Sequence, residues 1–149
     1  MNRLPFLLLA SLLPALALAG GGLKRPQAEA LLGVDEAFAL LPPERNGSQL
    51  HLEWNIAPGY YLYRHRLAVE WLAPRSAPTT LSLPTGEART DEHFGAVEVY
   101  HGLLAADLPL GPAAGQALHL RVRYQGCAEV GVCYPPQTRE FTLPAPRKP

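Results

Sequence analysis

The sequence predicts an all-β protein with an immunoglobulin-like β-sandwich fold. Sixteen prolines and thirteen glycines in 149 residues disfavour a helical bundle and suit short strands joined by turns. Apolar and polar residues alternate in roughly eight segments, with turn signals every 8 to 12 residues between them. Half-buried strands at this spacing are typical of two antiparallel sheets packed face to face.

The chain begins with a predicted export signal. Arg3 supplies the positive start, Leu4–Leu18 is an apolar run, and Ala17–Ala19 has the small residues of a cleavage site. The run is short for a membrane span, and the cleavage point lacks the cysteine of a lipoprotein. The predicted boundaries are 1–19 for the signal peptide, cleaved after Ala19, 20–143 for one folded domain, and 144–149 for a tail or linker.

Turn residues bound the predicted strands. Asn46-Gly47, Pro58-Gly59 and Pro84–Gly86 are turn signals, and a proline-rich bend covers Pro74–Pro78. In chain order, strands are predicted at Gln49–Ile56, Tyr60–Arg64, Leu67–Trp71, Thr79–Leu83, Val97–Tyr100, Gly102–Leu108, Leu118–Tyr124 and Thr138–Leu143. Before them, Leu31–Leu41 predicts either a strand with a turn or a brief helical turn.

The alternation also predicts which side chains face the core. The first of these eight strands has an apolar residue, including Trp54, at every second position, and this face is expected to be buried. In the next strand Tyr61 and Tyr63 share one face. Trp71 is expected in the core as well. The polar run Thr90–Gly95 is by itself predicted to be a surface loop.

The charge balance and motif content argue against several kinds of partner and site. Thirteen basic and thirteen acidic residues cancel, so nothing indicates binding to nucleic acid or to an anionic membrane. The five histidines show no metal-ligand spacing, and neither serine-nucleophile nor phosphate-binding glycine motifs occur. The sequence therefore predicts no metal and no bound cofactor, and its chemistry is expected to lie in its two cysteines.

Both cysteines lie in a short excursion between two predicted strands. The segment Tyr124–Pro136 has the sequence YQGCAEVGVCYPP, with five residues between Cys127 and Cys133. Small residues such as Gly126 and Gly131 let the backbone bend tightly enough for the sulfurs to meet, which makes a disulfide plausible. A bridge across so short a loop would stabilise the fold by only roughly 2 to 2.5 kcal/mol. The spacing leaves two alternatives open, a structural disulfide in a non-catalytic exported β-sandwich module and a bond that opens and recloses.

Three short motifs carry a family resemblance. YQGCAEVGVCYPP, GYYLYR at Gly59–Arg64 and DEHFG at Asp91–Gly95 together resemble the amino-terminal periplasmic domain of DsbD, the bacterial transmembrane thiol:disulfide interchange protein. The similarity extends over about residues 32–143. It implies an immunoglobulin-like domain in which Cys127 and Cys133 cycle between dithiol and disulfide.

The resemblance also implies partners and a location. In the family this domain takes electrons from a membrane-embedded domain through a carboxy-terminal thioredoxin-like domain. It passes them to periplasmic thioredoxin-fold proteins, such as disulfide isomerases and the thioredoxin-like protein of cytochrome c maturation. We therefore expect a periplasmic protein-disulfide reductase that acts as part of a relay. Because the chain has no transmembrane helices and no Cys-x-x-Cys motif, we expect it to be either separately encoded or a piece of a longer protein.

Several residues around the cysteines take their expected roles from the resemblance. Asp91 and Glu92 fall on acidic positions beside the thiols, and a carboxylate close to a cysteine raises its thiol pKa. Tyr61 and Tyr63 correspond to tyrosines near the sulfurs. Cys133 is expected to join the partner in the mixed disulfide.

The chain departs from the family in the loop that caps the active site, which corresponds to Asp91–Gly95. Many members have phenylalanine at its third position, where this chain has His93, with Phe94 next. A histidine can cover the sulfurs as a flat ring, and if protonated beside Cys133 it would favour the thiolate, against the carboxylates. The alternative is that Phe94 is the lid and His93 is solvated.

Overall fold

The structure is a computed structural model that describes residues 30–75 and 80–147. Contacts divide the chain into Met1–Ala30 and Leu31–Pro149, and all described strands lie in the second unit. The predicted export signal, 1–19, lies outside the described residues. In the predicted tail, residues 144–147 have no regular secondary structure.

The second unit consists mainly of short strands. One helical turn, α1 (Val34–Ala37), precedes them, and 3-10 turns cover Arg64–Arg66 and Gly111–Ala113. The described strands are β1 (Phe38–Leu40), β2 (Glu44–Asn46), β3 (Gln49–Ile56), β4 (Tyr60–Tyr63), β5 (Ala68–Ala73), β6 (Glu87–Asp91), β7 (Gly95–Tyr100), β8 (Leu103–Pro109), β9 (Leu118–Tyr124), β10 (Gly126–Ala128), β11 (Val132–Cys133) and β12 (Gln137–Leu143).

These strands form three antiparallel sheets. In the first, β3 pairs with β1 and β2 along one side and with β8 along the other. The second sheet has the order β11-β10-β4-β7-β6, and the third has the order β12-β9-β5. The sheets pack as an immunoglobulin-like β-sandwich, which confirms the predicted fold class.

The hydrophobic core lies between the sheets. On β3 every second side chain from Leu50 to Ile56 is buried, as the alternation predicts. Trp54 is fully buried, and its ring meets that of Tyr124 on β9 edge-on, with the ring centroids 6.1 Å apart. Trp71 on β5 is buried too. Both tryptophans therefore belong to the core, as expected.

Two predicted elements differ in detail from the structure. Leu31–Leu41 contains both of the predicted alternatives, since the helical turn α1 leads directly into β1. The predicted strand Thr79–Leu83 is wrong for the part that the structure describes, where Ser82 makes one isolated bridge to Asp107 on β8. The leucines on either side of Ser82 still pack against the core, so their burial accounts for the alternation without a strand.

The strand β6 is absent from the prediction. It is an edge strand, and most of its side chains are exposed, so no apolar alternation marks it in the sequence. The expected surface loop Thr90–Gly95 is therefore wrong at both ends: it starts in β6, turns at residues 92–94 and enters β7 at Gly95. This places Asp91 at the end of a paired strand, where its side chain is buried.

Candidate functional site

The cysteines lie on two short paired strands, β10 and β11. We call residues 126–133 the cysteine hairpin. Cys127 and Cys133 are direct partners across it, with their Cα atoms 3.9 Å apart, and a disulfide joins them. The turn closes with the N–H of Gly131 donating to the carbonyl of Ala128, and Gly131 has a φ of 88°, a conformation that favours glycine. The sequence predicts only a short excursion between two strands here; in the structure the excursion itself contains two short strands that pair the cysteines in register.

The two cysteines differ in exposure. Cys127 is fully buried in a small cluster with Tyr61 and Tyr63, because β10 lies between β4 and β11 in the sheet. Cys133 lies on the edge strand β11 and is exposed. A sulfur that approaches from solvent therefore meets Cys133 first.

A buried tyrosine connects the disulfide to a carboxylate. The Tyr63 Oη atom lies 3.2 Å from Cys127 Sγ and 3.9 Å from Cys133 Sγ, and it donates a hydrogen bond of 2.5 Å to Asp91 Oδ2. The other carboxylate oxygen, Oδ1, accepts hydrogen bonds from the backbone N–H groups of His93 and Phe94, at 2.8 and 3.0 Å. In the described part of the chain, Asp91 is the one buried charged side chain.

These contacts determine the protonation states of the pair. The hydrogen bond from Tyr63 holds the pKa of Asp91 below its ordinary value; burial opposes this shift, and the two backbone N–H groups add to it. Burial, followed by the hydrogen bond to Asp91, raises the pKa of Tyr63 far above its ordinary value. At neutral pH a protonated phenol therefore lies beside Cys127 and donates a hydrogen bond to an ionised carboxylate.

The predicted cap residues occupy two different places. The ring of Phe94 packs edge-on against Tyr63, with centroids 5.2 Å apart, and contacts His65 and the guanidinium of Arg66. His93 instead lines a cleft of about 230 Å³ that opens beside Cys133. Phe94 thus covers the tyrosine that touches both sulfurs, while His93 borders the approach to the exposed sulfur.

The remaining predicted residues border the same cleft. Tyr61 packs edge-on against Tyr63 at 5.3 Å between centroids, with the two hydroxyl oxygens 3.5 Å apart. The side chain of Glu92 is exposed at the cleft wall. Of the two predicted carboxylates, only Asp91 is linked to the sulfurs through a hydrogen bond from Tyr63.

A cluster of charged residues beside the cleft is missing from the prediction. Arg89 Nη1 contacts both carboxylate oxygens of Glu129, at 2.9 and 2.8 Å, and its guanidinium lies 4.2 Å from the centroid of the Tyr61 ring. His101 Nε2 lies 2.9 Å from Glu129 Oε1. Burial alone would raise the pKa of Glu129, but the hydrogen bonds from His101 and Arg89 outweigh burial and hold this pKa below its ordinary value. The only signal in the sequence is that Glu129 lies between the cysteines, because Arg89 is 40 residues away.

The site offers sulfur chemistry. Within the described ranges, no group of three or more histidine, cysteine, aspartate or glutamate side chains is arranged to hold a metal ion. Nor does any helix in those ranges have the length and hydropathy needed to cross a membrane. The arrangement provides one accessible sulfur and one buried sulfur, which suit thiol–disulfide exchange, and a buried acid–phenol pair that can influence the thiol pKa values.

Comparison with known protein families gives an extended match. A family model for the amino-terminal domain of the thiol:disulfide interchange protein DsbD matches residues 28–145. The DsbD 2 protein of Pseudomonas aeruginosa is 42% identical over 146 residues, which is 95% of this chain and 24% of that protein. The DsbD protein of Yersinia pestis is 42% identical over 122 residues, 82% of this chain and 20% of that protein. The chain thus spans about a quarter or less of the length of these curated relatives.

Solved structures are similar over the same region. The reduced amino-terminal domain of DsbD from Neisseria meningitidis superposes with a TM-score of 0.71 at 35% identity, covering 77% of this chain and 90% of that one. The complex between the amino-terminal domains of DsbD and PilB from the same organism gives a TM-score of 0.67 at 34% identity, covering 75% and 86%. The similarity in sequence and in structure thus extends over most of the described residues.

Proposed function

Because the chain belongs to the family of DsbD amino-terminal domains, we propose that its Cys127–Cys133 disulfide opens and recloses in thiol–disulfide exchange with other proteins. The observation that carries this proposal is the unequal exposure of the two cysteines on one hairpin. An exposed sulfur can enter a mixed disulfide, and a buried neighbour can release it. A structural disulfide needs no such difference.

In the reducing step, the Cys133 thiolate attacks one sulfur of a partner's disulfide. The partner's second sulfur leaves as a thiolate, and a mixed disulfide joins Cys133 to the partner. Cys127 then attacks the Cys133 sulfur and displaces the partner's first sulfur, which forms the disulfide seen in the structure. Two electrons pass from this chain to the partner. The two thiols of this chain release their protons to solvent, and the partner's two thiolates take up protons from solvent.

In the return step, one thiolate of a dithiol donor attacks the exposed Cys133 sulfur, and Cys127 leaves as a thiolate. The donor's second thiol then attacks the donor sulfur bonded to Cys133, which releases Cys133 and leaves the donor as a disulfide. The Cys127 thiolate forms in a buried cluster, 3.2 Å from Tyr63 Oη and close to an ionised Asp91. Both burial and the nearby negative charge favour its protonation. The reduced domain therefore rests with Cys127 as a thiol, which protects it from chance oxidants until a partner docks.

The partners we propose are periplasmic thioredoxin-fold proteins, with disulfide isomerases and the thioredoxin of cytochrome c maturation as acceptors. The electrons come from a thioredoxin-like or membrane-embedded donor. The names of the relatives support an interchange role, and the solved DsbD–PilB complex supports a protein as the exchange partner. In this relay the chain acts as a protein-disulfide reductase of the periplasm.

The Asp91–Gly95 turn acts as the cap of this site in our proposal. Two backbone hydrogen bonds to the Asp91 carboxylate hold the turn, and Phe94 packs on the Tyr63 ring. A ring in this position limits the access of small thiols, and a docking protein would displace it. His93, at the cleft beside Cys133, would contact the docked partner.

A redox titration tests the proposed function. In mixtures of reduced and oxidised glutathione, we expect the pair to have a reduction potential in the range of thioredoxin-fold proteins, roughly −120 to −270 mV. Trapping free thiols by alkylation and counting them by mass spectrometry gives the oxidised fraction. The Cys127→Ala/Cys133→Ala variant supplies the baseline. A disulfide that stays closed down to about −300 mV would show that it is structural, and the exchange function would then be wrong.

A second prediction concerns Asp91. Asp91→Asn removes the negative charge beside Tyr63, so we expect a lower thiol pKa, more strongly for Cys127 than for Cys133, and faster alkylation of the reduced domain at neutral pH. NMR titration of the cysteine Cβ shifts measures this directly. Glu92→Gln is the matched control, because Glu92 is exposed and has no hydrogen bond to Tyr63 in the described structure. Unchanged thiol pKa values in Asp91→Asn would contradict a tuning role.

Asp91 also predicts a pH dependence of stability. Its pKa is lower in the folded chain than in the unfolded chain, so its charge stabilises the fold above about pH 4, and this contribution is lost as the pH falls through the folded pKa. In the same Asp91→Asn variant, the Tm is therefore expected to fall relative to the parent at pH 7, and the difference is expected to shrink as the pH falls through the folded pKa of Asp91. A constant difference at all pH values would point to packing instead of charge.

A further inference from the structure

When its disulfide is open, the cysteine hairpin is held only by strand pairing and by the contacts on either side of Cys133. Among the described strands, β11 pairs only with β10, and it is two residues long. On the carboxy-terminal side, Tyr134 is held by its N–H, which donates to the carbonyl of Gly126 at 3.0 Å. Its hydroxyl donates to the carbonyl of Leu32 at 2.6 Å, and its ring packs edge-on against Phe38. On the other side of Cys133 lies the turn, which begins at Glu129. The contacts of that turn therefore determine how firmly Cys133 is held from its amino-terminal side when no bond joins the two sulfurs.

Glu129 connects the turn to three other parts of the sheet. Its backbone N–H donates to the carbonyl of Gly59 at 2.8 Å, just before β4. Its carboxylate holds Arg89, which comes from β6 at the opposite edge of the sheet, and His101, which follows β7. The Arg89 guanidinium is itself seated on the ring of Tyr61. We call Arg89, His101 and Glu129 the Glu129 cluster.

The geometry of this cluster distinguishes it from an ordinary surface ion pair. Isolated exposed pairs contribute little, but a guanidinium with two short contacts to a carboxylate, within a network, contributes measurably. The contact of Arg89 with the Tyr61 ring adds a cation–π interaction. Tyr61 in turn lies opposite Cys127 in the β4–β10 pairing. The cluster thus joins the turn before Cys133 to β4, the strand whose Tyr61 pairs with Cys127 on β10.

We propose that Glu129 and Arg89 are positioning residues that keep Cys133 close to Cys127 while the disulfide is open. The proposal rests on the thiol–disulfide exchange proposed above. Closing the bond costs chain entropy, and a tether that already restrains the hairpin reduces that cost. The same restraint speeds the attack of Cys127 on a mixed disulfide at Cys133, because it holds the two sulfurs within reach. Neither side chain takes part in the exchange itself.

The equilibrium test uses the variants Glu129→Gln and Arg89→Gln. We expect each to lower the equilibrium constant for closing the disulfide, measured against glutathione, about fivefold, which is a shift of about 20 mV toward a more positive reduction potential. The double variant is expected to equal either single variant, because the two residues act as one pair. Arg121→Gln is the control, since it breaks a comparable exposed pair with Glu140 on β9 and β12 and should leave the potential unchanged.

A kinetic test separates positioning from general loss of stability. The reduced chain is mixed with 5,5′-dithiobis(2-nitrobenzoate): Cys133 attacks first and releases one thionitrobenzoate anion, and Cys127 then displaces the second. We expect Glu129→Gln to slow the second phase about fivefold and to leave the first nearly unchanged. If the parent chain opens in glutathione but the variants share its potential and its second-phase rate, the tether is wrong. If the parent disulfide never opens, the exchange function itself is wrong.

Discussion

Cys127→Ala is expected to accumulate a mixed disulfide with an oxidised thioredoxin-fold protein, whereas Cys133→Ala is expected to accumulate almost none. In Cys127→Ala the exposed Cys133 is free to attack, and no second thiol remains to release the partner. In Cys133→Ala the remaining thiol is fully buried behind β11, so another protein cannot reach it. Because thiol reactivity requires access, we expect at least about a tenfold difference in adduct.

Non-reducing gels and intact mass spectrometry of each variant, incubated with a purified periplasmic disulfide isomerase, measure the adduct. The Cys127→Ala/Cys133→Ala variant shows how much band arises without any thiol on this chain. Both single variants lose the same disulfide, so a difference between them cannot come from its loss. Equal adduct from the two would mean that burial does not select the attacking sulfur. No adduct from either would leave a β-sandwich with a structural disulfide.

Gly126→Ala is expected to lower the free energy of unfolding by about 3 kcal/mol or more. A Cβ at this position would lie 2.2 Å from the carbonyl oxygen of Tyr61 and 2.6 Å from a ring carbon of Phe38. The carbonyl belongs to β4, which pairs with β10, and Phe38 is fully buried in the core. The carbonyl cannot move without opening the β4–β10 pairing that holds Cys127, and the ring cannot move without disturbing the core, so slower disulfide exchange should accompany the loss of stability.

Urea unfolding of the oxidised chain measures this loss, and two other glycines provide controls. Gly115→Ala adds a Cβ into open space and should have little effect. At Gly131 the Cβ would also meet nothing within 4 Å, but the φ of 88° is unfavourable for alanine, so a cost of about 1 kcal/mol is expected. If Gly126→Ala unfolds at the same urea concentration as Gly115→Ala, the close approach of β4 to β10 is not a constraint on this position.

Much of the fold could be predicted because the relevant patterns are local. The strand β3 is half-buried, so its alternation directly reports the face that packs on the core. The pairing of Tyr61 and Tyr63 on one face follows from the two-residue period of a strand. By contrast, β6 is polar on both faces at a sheet edge, and the stretch around Ser82 alternates without forming a strand. Alternation reports burial, and burial and strand pairing are separate properties.

The candidate site also has a part that local segments of the sequence indicate and a part that depends on how distant strands pair. The cysteine motif, the tyrosines and the acidic turn are contiguous segments, and their resemblance to the DsbD amino-terminal domain identified them together as candidates. The strand order of the sheet, β11-β10-β4-β7-β6, makes Cys127 an interior residue and Cys133 an edge residue. The same order brings Arg89 to Glu129 across 40 positions of sequence. Neighbours across a sheet are chosen by how distant strands pair, and no pattern within a single strand contains that information.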